Sequence, residues 1–279
     1  MNGLVGIAIV NYRTAEDTDG LVRSIVARNT GTATPVAIAL VDNSAQQAQL
    51  AATVELATRN DIRCRLIAGH GNVGYAAGNN LAGRWLLDIG ADVIWVLNPD
   101  TRLERGTPGQ ALDLLRFADR AVAATAAQPV AVDLWTGRSG PGLASARRLP
   151  YVAGHSLLAT RKAWEDLDGF SEDFFLFYEE ADLAVRCAGL GIPTTTVPEL
   201  VVSHAGGRAT GARTDLRRKS RTAYFHASRS CMVFFRKHYP ARLPMALAAR
   251  LLYAGKVLLV AGPAAATAIV RGAIAGLRP

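Results

Sequence analysis

Four short apolar runs, each closing on polar residues, set the strongest limit on how this chain can fold. They are "LVGIAIVNY" (residues 4–12), "PVAIALVDNS" (35–44), "IRCRLIA" (62–68) and "DVIWVLNPD" (92–100). The segments between them have a helical character. Leu21, Val22, Ile25 and Val26 repeat at the spacing of one helix face, residues 45–60 form a second such stretch, and "GHGNVGYAAGNNLAGRWLLD" runs from a glycine-rich loop into a third. Apolar strands alternating with helices predict a mostly parallel sheet covered on both faces. Ligands of such sheets bind at the carboxyl ends of the strands. The polar groups expected on that rim are Asn11 and Tyr12, Asp42 and Asn43, Gly71 and Asn72, and Asn98 with Asp100.

Beyond Asp100 the pattern loosens. A helix is expected near residues 108–118, then short strands around a Gly/Pro/Ser-rich loop at 137–145. The aromatic run "DFFLFY" (173–178) leads into the acidic start "EEADLAVRCAGLG", and "IPTTTVPELVVSHAGG" closes the core. With 279 residues, about half of them apolar, the chain suits one main α/β domain with a C-terminal extension. Three cysteines (Cys64, Cys187 and Cys231) with no CxxC pair fit a reducing compartment and no structural zinc. Met1 leads straight into a strand-like segment without a basic n-region or cleavage site, so no signal peptide is expected.

The net charge of +8 is concentrated. Residues 205–250 carry eleven Arg or Lys against one acid, Asp215. Such a surplus suits a phosphate-rich partner, an anionic membrane surface or nucleic acid. No nucleic-acid motif accompanies it, so nucleic acid is not an expected partner. The tail reads as two helices, one over 214–239 and one from near Pro244. Basic side chains beside Phe234 and Phe235 suit a membrane-surface helix, with a solvated basic face as the alternative. The longest uncharged apolar run, Val257 to Val270, has fourteen residues and contains Gly262 and Pro263. A membrane span takes about 20 residues, which predicts an interfacial or packed helix here.

Several residues are candidates for chemistry, each beside an ordinary structural reading. Asp100 is a turn or cap residue, or a hard ligand for Mg²⁺ or Mn²⁺ held behind Pro99. His204 in "VVSHAGG" is a structural histidine or a further metal ligand that would favour Mn²⁺. Glu179, Glu180 and Asp182 are first-turn acids that stabilise a helix dipole, or they supply a base of raised pKa for an alcohol proton. The loop with Asn72 and Gly74 is a glycine-rich cap or a nucleotide pocket, and Asp42 a strand-end cap or an acceptor for a base or ribose. No GxGxxG follows the first strand, which argues against a dinucleotide oxidoreductase.

Taken in order, "IVNY", "LVDNS", "GNVGYAAGNN", "WVLNPDT", "GFSEDFFLFYEEADLAVR" and "VVSHAGG" span about residues 5–207. This ordered set resembles the family 2 inverting glycosyltransferases, and within them the bacterial rhamnosyltransferase-like members. The resemblance implies a GT-A fold, with a Rossmann-like, mostly parallel central sheet and an acceptor-binding half. It assigns Asn11, Tyr12, Asp42, Asn72, Gly74, Asn98 and Asp100 to the nucleotide-sugar, with "NPD" as the counterpart of the DxD motif. Asp100 and His204 would hold a divalent Mg²⁺ or Mn²⁺. Glu180 falls on the general base, with Asp182 as its rival. Ser171 stands where the family usually has Asp, Glu180 where it has the Asp of an ED pair, and Asn98 where it has the first Asp of DxD.

The acceptor-side candidates are Gly154, Glu179 and Arg208. The expected division is a GT-A domain over 1–210, its nucleotide-binding half ending near 105, followed by basic, apolar helices over 211–279. The expected activity is inverting transfer from a nucleotide-diphosphate sugar, dTDP-L-rhamnose foremost, to a lipid-linked or polysaccharide acceptor in envelope glycan synthesis. The competing expectation is a non-catalytic nucleotide-sugar binder. The chain is expected in the cytoplasm, peripheral on the inner face of the cytoplasmic membrane, with a homodimer through the C-terminal helices as the other use of that tail.

Overall fold

The computed structural model describes residues 3–115, 118–125, 130–141, 145–204 and 215–278. In chain order the elements are β1 (Val5–Asn11), α1 (Ala15–Asn29), β2 (Val36–Asp42), α2 (Gln47–Arg59), β3 (Arg63–Ile67), α3 (Tyr75–Asp88), β4 (Val93–Leu97), β5 (Thr101–Arg105) and α4 (Pro108–Leu115). Next come β6 (Val122–Thr125), β7 (Val130–Asp133), β8 (Ser139–Pro141), β9 (Arg148–Tyr151), β10 (Ser156–Thr160), α5 (Arg161–Leu167) and α6 (Glu179–Leu190). The chain continues through β11 (Thr194–Val197), β12 (Val201–His204), α7 (Arg221–His238), α8 (Leu243–Ala261) and α9 (Pro263–Leu277). These elements form two compact units, one of residues 1–127, 152–170 and 186–205, the other of 128–151, 171–185 and 206–279. The residues read from sequence as a C-terminal extension share the second unit with two earlier segments.

The first unit is built on a seven-stranded sheet, ordered β11-β6-β10-β4-β1-β2-β3 among the described residues. β4, β1, β2 and β3 run parallel, as the buried apolar runs predict, and β11 is parallel to β6. β10 runs antiparallel to both β4 and β6. Strand alternation divides the work between the two faces. Val5, Ile7 and Ile9 of β1 join Leu21 and Ile25 of α1, Leu50 of α2 and Leu115 of α4 in one core. On the other face Gly6 and Val10 meet α3, where Leu86 and Gly78 approach closely. A separate antiparallel pair joins β5 to β12, with His204 opposite Thr101. Strand β5 was not expected from the sequence, because its two-sided pattern "TRLER" carries only one apolar residue.

The strand ends are locked before any ligand is considered. Asn11 lies opposite Asp42 in the β1–β2 register. Its Nδ2 donates to Asp42 Oδ1 at 3.0 Å and also faces Ser44 and Gln46, while its Oδ1 accepts from Thr14 and Thr18. Asp42 Oδ1 further accepts from the Ser44 amide and hydroxyl, and Oδ2 from the Gln46 amide at the start of α2. Asn11 and Asp42 are 0% and 1% exposed. Burial pushes the Asp42 pKa up, but the hydrogen bonds from Asn11, Ser44 and Gln46 outweigh it and hold the carboxyl below its usual value.

In the second unit β7 lies between β8 and β9. Its core gathers Val132, Phe174, Tyr178, Cys231, Met232, Phe234 and Phe235. The expected two-helix tail is three helices. Gly262, at φ 86°, and Pro263 end α8 and open α9, dividing the apolar run that reads as one segment in the sequence. A methyl group on Gly272 would strike the Phe225 carbonyl, and one on Gly276 the Arg229 carbonyl. This small-xxx-small step on α9 therefore lets two helix backbones touch. Pro240–Ala261 is 22 residues long, and apolar enough to cross a bilayer by length and composition. The helix runs on through Arg250 and Lys256, which bound the uncharged stretches in the sequence. Its outer side exposes Met245, Leu251, Leu252, Leu258, Leu259 and Val260, with Leu252 78% and Leu259 87% exposed.

Three substitutions, read by urea melts, check these features. Asp42→Asn places an amide donor among donors and lowers stability at neutral pH by about 1–3 kcal/mol. A carboxyl depressed by folding stabilises above its unfolded value and loses that contribution as pH falls through the folded one. The gap between wild type and Asp42→Asn in urea melts therefore narrows from pH 7 toward pH 3. Gly276→Leu costs about 1–3 kcal/mol through overpacking. Gly255→Ala, on an α8 position with nothing within 4 Å, raises stability by up to about 1 kcal/mol.

Candidate active site

The rim of the first unit collects the strand-end candidates. Tyr12 is half-buried under the Arg13 guanidinium, 5.3 Å from the ring centre. The loop after β3 brings Asn72 to the surface, where its Oδ1 accepts from the Gly74 amide at 3.1 Å. Gly74 sits at φ 89° and its carbonyl accepts from Asn43 Nδ2, so the turn into α3 needs a glycine there. Gly154 lies beside this loop, its carbonyl bound by the Tyr75 hydroxyl at 2.7 Å. Asp42 and Asn11, by contrast, are consumed by the internal network described above, and their contribution is to fix the rim.

Asn98 and Asp100 follow β4. The Asn98 amide donates to the His155 carbonyl at 3.0 Å, and its own carbonyl accepts from Thr101. Its Oδ1 is buried without a partner. Asp100 is 6% exposed. The β5–β12 pairing carries His204 to it, and Nε2 lies 3.3 Å from the Asp100 carboxylate. The His204 ring stacks on His155 at 4.7 Å, the two rings nearly parallel. Burial, with His204 close by, pushes the His155 pKa down to about 4 against a smaller opposing pull from Asp100, so His155 is neutral at physiological pH. His155 was not singled out from the sequence. The signal lies in pairing rather than in motif, because the reversed β10 sets Ser156 opposite Leu97 and so puts His155 beside the end of β4.

These groups fit a divalent ion of one kind. Among the described residues no cluster of three or more His, Cys, Asp or Glu side chains forms a complete cage. One carboxylate, one imidazole and an unpartnered amide oxygen instead suit an ion that takes its remaining ligands from substrate phosphates.

The acidic turn belongs to the second unit. Glu179 is 4% exposed and its Oε2 has no partner. Burial, reinforced by neighbouring Glu180, drives its pKa well above the usual carboxylate range, which favours the neutral form. Asp182 is fully buried and bound by His238 Nε2 at 2.8 Å and Lys237 Nζ at 3.2 Å. Glu180 keeps partial exposure. It lies near Tyr151, whose pKa is raised first by burial and then by Glu180. Lys237 also binds Ser171 and Asp173, so one lysine ties the loop before α6 to the helix itself. These helix-borne partners were hidden in the sequence within a basic run that read as a surface. Arg208 lies outside the described residues, as do Gly206 and Gly207.

No family model matches the chain. It is 25% identical over 229 residues, 68% of this chain and 73% of the relative, to the N-acetylglucosaminyl-diphospho-decaprenol L-rhamnosyltransferase of Mycobacterium tuberculosis. It is likewise 25% identical to the low-salt glycan biosynthesis hexosyltransferase Agl10 of Haloferax volcanii, over 65% of this chain and 61% of that protein. Among solved structures it superposes on the mannosyltransferase PcManGT from Pyrobaculum calidifontis in complex with GDP-Man and Mn²⁺. The TM-score is 0.56 at 17% identity, covering 98% of this chain and 86% of that one. It also superposes on S. aureus TarS 1-349 in complex with UDP-GlcNAc, with TM-score 0.53 at 14% identity, covering 98% and 89%. The chain has the GT-A fold, and its curated relatives with its structural neighbours support a family 2-like glycosyltransferase.

Proposed function

We propose that the chain transfers a sugar, dTDP-L-rhamnose being the leading donor, to a hydroxyl of a lipid-linked glycan acceptor with inversion at the anomeric carbon. One observation carries the choice of base. Of the three first-turn carboxylates, Glu179 is buried, Asp182 is sealed under Lys237 and His238, and Glu180 retains exposure. Glu180 takes the proton of the acceptor hydroxyl. The hydroxyl oxygen forms its bond to the anomeric carbon as the bond from that carbon to the diphosphate oxygen breaks. The electron pair leaves with the nucleoside diphosphate. Glu179, protonated, is a hydrogen-bond donor for the acceptor. Asn72 and the Gly74 backbone line the nucleotide, and Tyr12 offers a ring beneath it.

Asp100 and His204, supported by the unpartnered Asn98 oxygen, are the residues that would hold Mg²⁺ or Mn²⁺. When bound, such an ion neutralises charge on the leaving diphosphate. The named acceptor of the mycobacterial relative supports a polyprenyl-diphosphate acceptor here. The exposed leucines of α8 and a basic surplus in the same unit support a place at the cytoplasmic membrane surface. A homodimer is the rival use of that face.

The central test is transfer from dTDP-rhamnose, UDP- and GDP-sugars to a polyprenyl-diphosphate N-acetylglucosamine with Mn²⁺. Glu180→Gln lowers kcat by about 100-fold or more while donor affinity is kept. Tight donor binding with no transfer, unaltered by Glu180→Gln, would instead establish a binding protein. Asp100→Ala removes the Mn²⁺-dependent part of the thermal shift given by donor nucleotide; an undiminished shift refutes the ion assignment. The paired change Leu252→Glu with Leu259→Glu abolishes co-sedimentation with phosphatidylglycerol vesicles and leaves donor binding intact. A monomer-dimer change in place of lost sedimentation would assign the face to self-association.

A further inference from the structure

Two bulky residues in succession, Phe177 and Tyr178, lie at φ 68° and 71° immediately before the acidic turn. Side chains of this size avoid the left-handed region, and residues kept there need neighbours that over-determine the backbone. The neighbours are identifiable. The Tyr178 side chain is 8% exposed and packs on Phe234. Its hydroxyl donates to the Gly137 carbonyl. Arg250, from α8, donates through Nη2 to that same carbonyl at 2.8 Å and to the Tyr178 hydroxyl at 3.1 Å. Gly137 is itself pressed against α7, since a methyl group there would strike Cys231 Sγ. On the preceding residues Ser230 Oγ donates to the Leu176 carbonyl and Arg229 to the Asp173 carbonyl. The Tyr178 carbonyl in turn accepts the Asp182 amide, closing the first turn of α6.

The triangle of Gly137 carbonyl, Tyr178 hydroxyl and Arg250 guanidinium is the part of this brace that reaches the strained pair by side chain. Among the described residues Arg250 has no carboxylate partner, so its role is geometric: its Nη2, at the end of a long side chain, spans the two acceptors at once. We propose that Arg250 is a positioning residue, which through Tyr178 holds the left-handed pair and thereby sets where Glu179 and Glu180 point. The proposal deepens the assignment of Glu180 as base and rests on it for its catalytic consequence. It does not rest on it for the mechanical one.

The test uses the full chain with Arg250→Met, Arg250→Lys and Tyr178→Phe. Donor dissociation constants, kcat and KM are measured alongside hydrogen exchange of the amides of residues 177–183. Arg250→Met lowers kcat by about 100-fold, as a misplacement on the order of 1 Å does. It leaves donor KM and dissociation constant within about twofold and speeds exchange over 177–183 alone. Arg250→Lys recovers much of kcat, since an ammonium also has donors for both acceptors. Tyr178→Phe removes a single oxygen and shows the same pattern at smaller amplitude, which keeps the test valid if Arg250→Met does not fold. Wild-type kcat in Tyr178→Phe, or in a folded Arg250→Met, overturns the proposal. So does a loss of kcat matched by donor affinity and by exchange throughout the protein. Should Glu180→Gln keep full kcat while Arg250→Met still loosens residues 177–183, the base assignment fails and the brace stands.

Discussion

The hydrogen-bond network around Asn11 and Asp42 is the interaction on which the first unit's site depends. A parallel sheet delivers its strands side by side but leaves their carboxyl ends with free carbonyls and divergent loops. Here one buried amide and one buried carboxylate join the ends of β1 and β2, cap the approach to α1 through Thr14 and Thr18, and seat the start of α2 through Gln46. Each polar atom is satisfied, which is the condition for burying such groups without penalty. A fixed rim follows, against which Tyr12, Asn72 and Asn98 hold defined positions.

In the second unit acidity is sorted by environment. Three carboxylates stand within one helical turn, and three different surroundings give them three different states. Burial raises the Glu179 pKa, Asp182 is held by Lys237 and His238 of α7, and Glu180 retains contact with solvent. Breaking a buried pair such as Asp182 with His238 and Lys237 leaves an uncompensated charge. The α7 end is therefore as much a part of the acidic turn as the residues beside it in sequence.

The sequence made the parallel part of the sheet readable because Val5–Val10, Val36–Val41 and Val93–Leu97 are buried on both faces and carry no competing pattern. The residues alone offered Asp100 and His204 separately, one as a strand stop and one as a lone histidine, and only the family resemblance set them together; in the structure they meet through β5, whose "TRLER" carries almost no apolar signal. His155 needed the reversal of β10, which no local residue announces. The tail misled in a different way. Pro244 stands inside the first turn of α8, where proline is tolerated, while Gly262 and Pro263 mark a break that lies within an apolar run. Charge hid the rest: Lys237, His238 and Arg250 belong to a stretch whose composition reads as a surface, yet all three turn inward to bind loops far away in the chain.

That distance has a consequence for the order of assembly. Asp182 and its partner Lys237 are 55 residues apart, and Tyr178 and Arg250 are 72 apart. On a ribosome the acidic turn leaves the exit tunnel well before either partner has been made. Contacts of such long range pay their loop-closure entropy late. The first unit's rim can form while synthesis continues, whereas Phe177 and Tyr178 have no reason to adopt their unfavourable backbone until α7 and α8 arrive. Nascent chains should therefore acquire the strand-end rim of the first unit first and the acidic turn last, so that Glu179 and Glu180 are set in place only once the helices bearing their supports are complete.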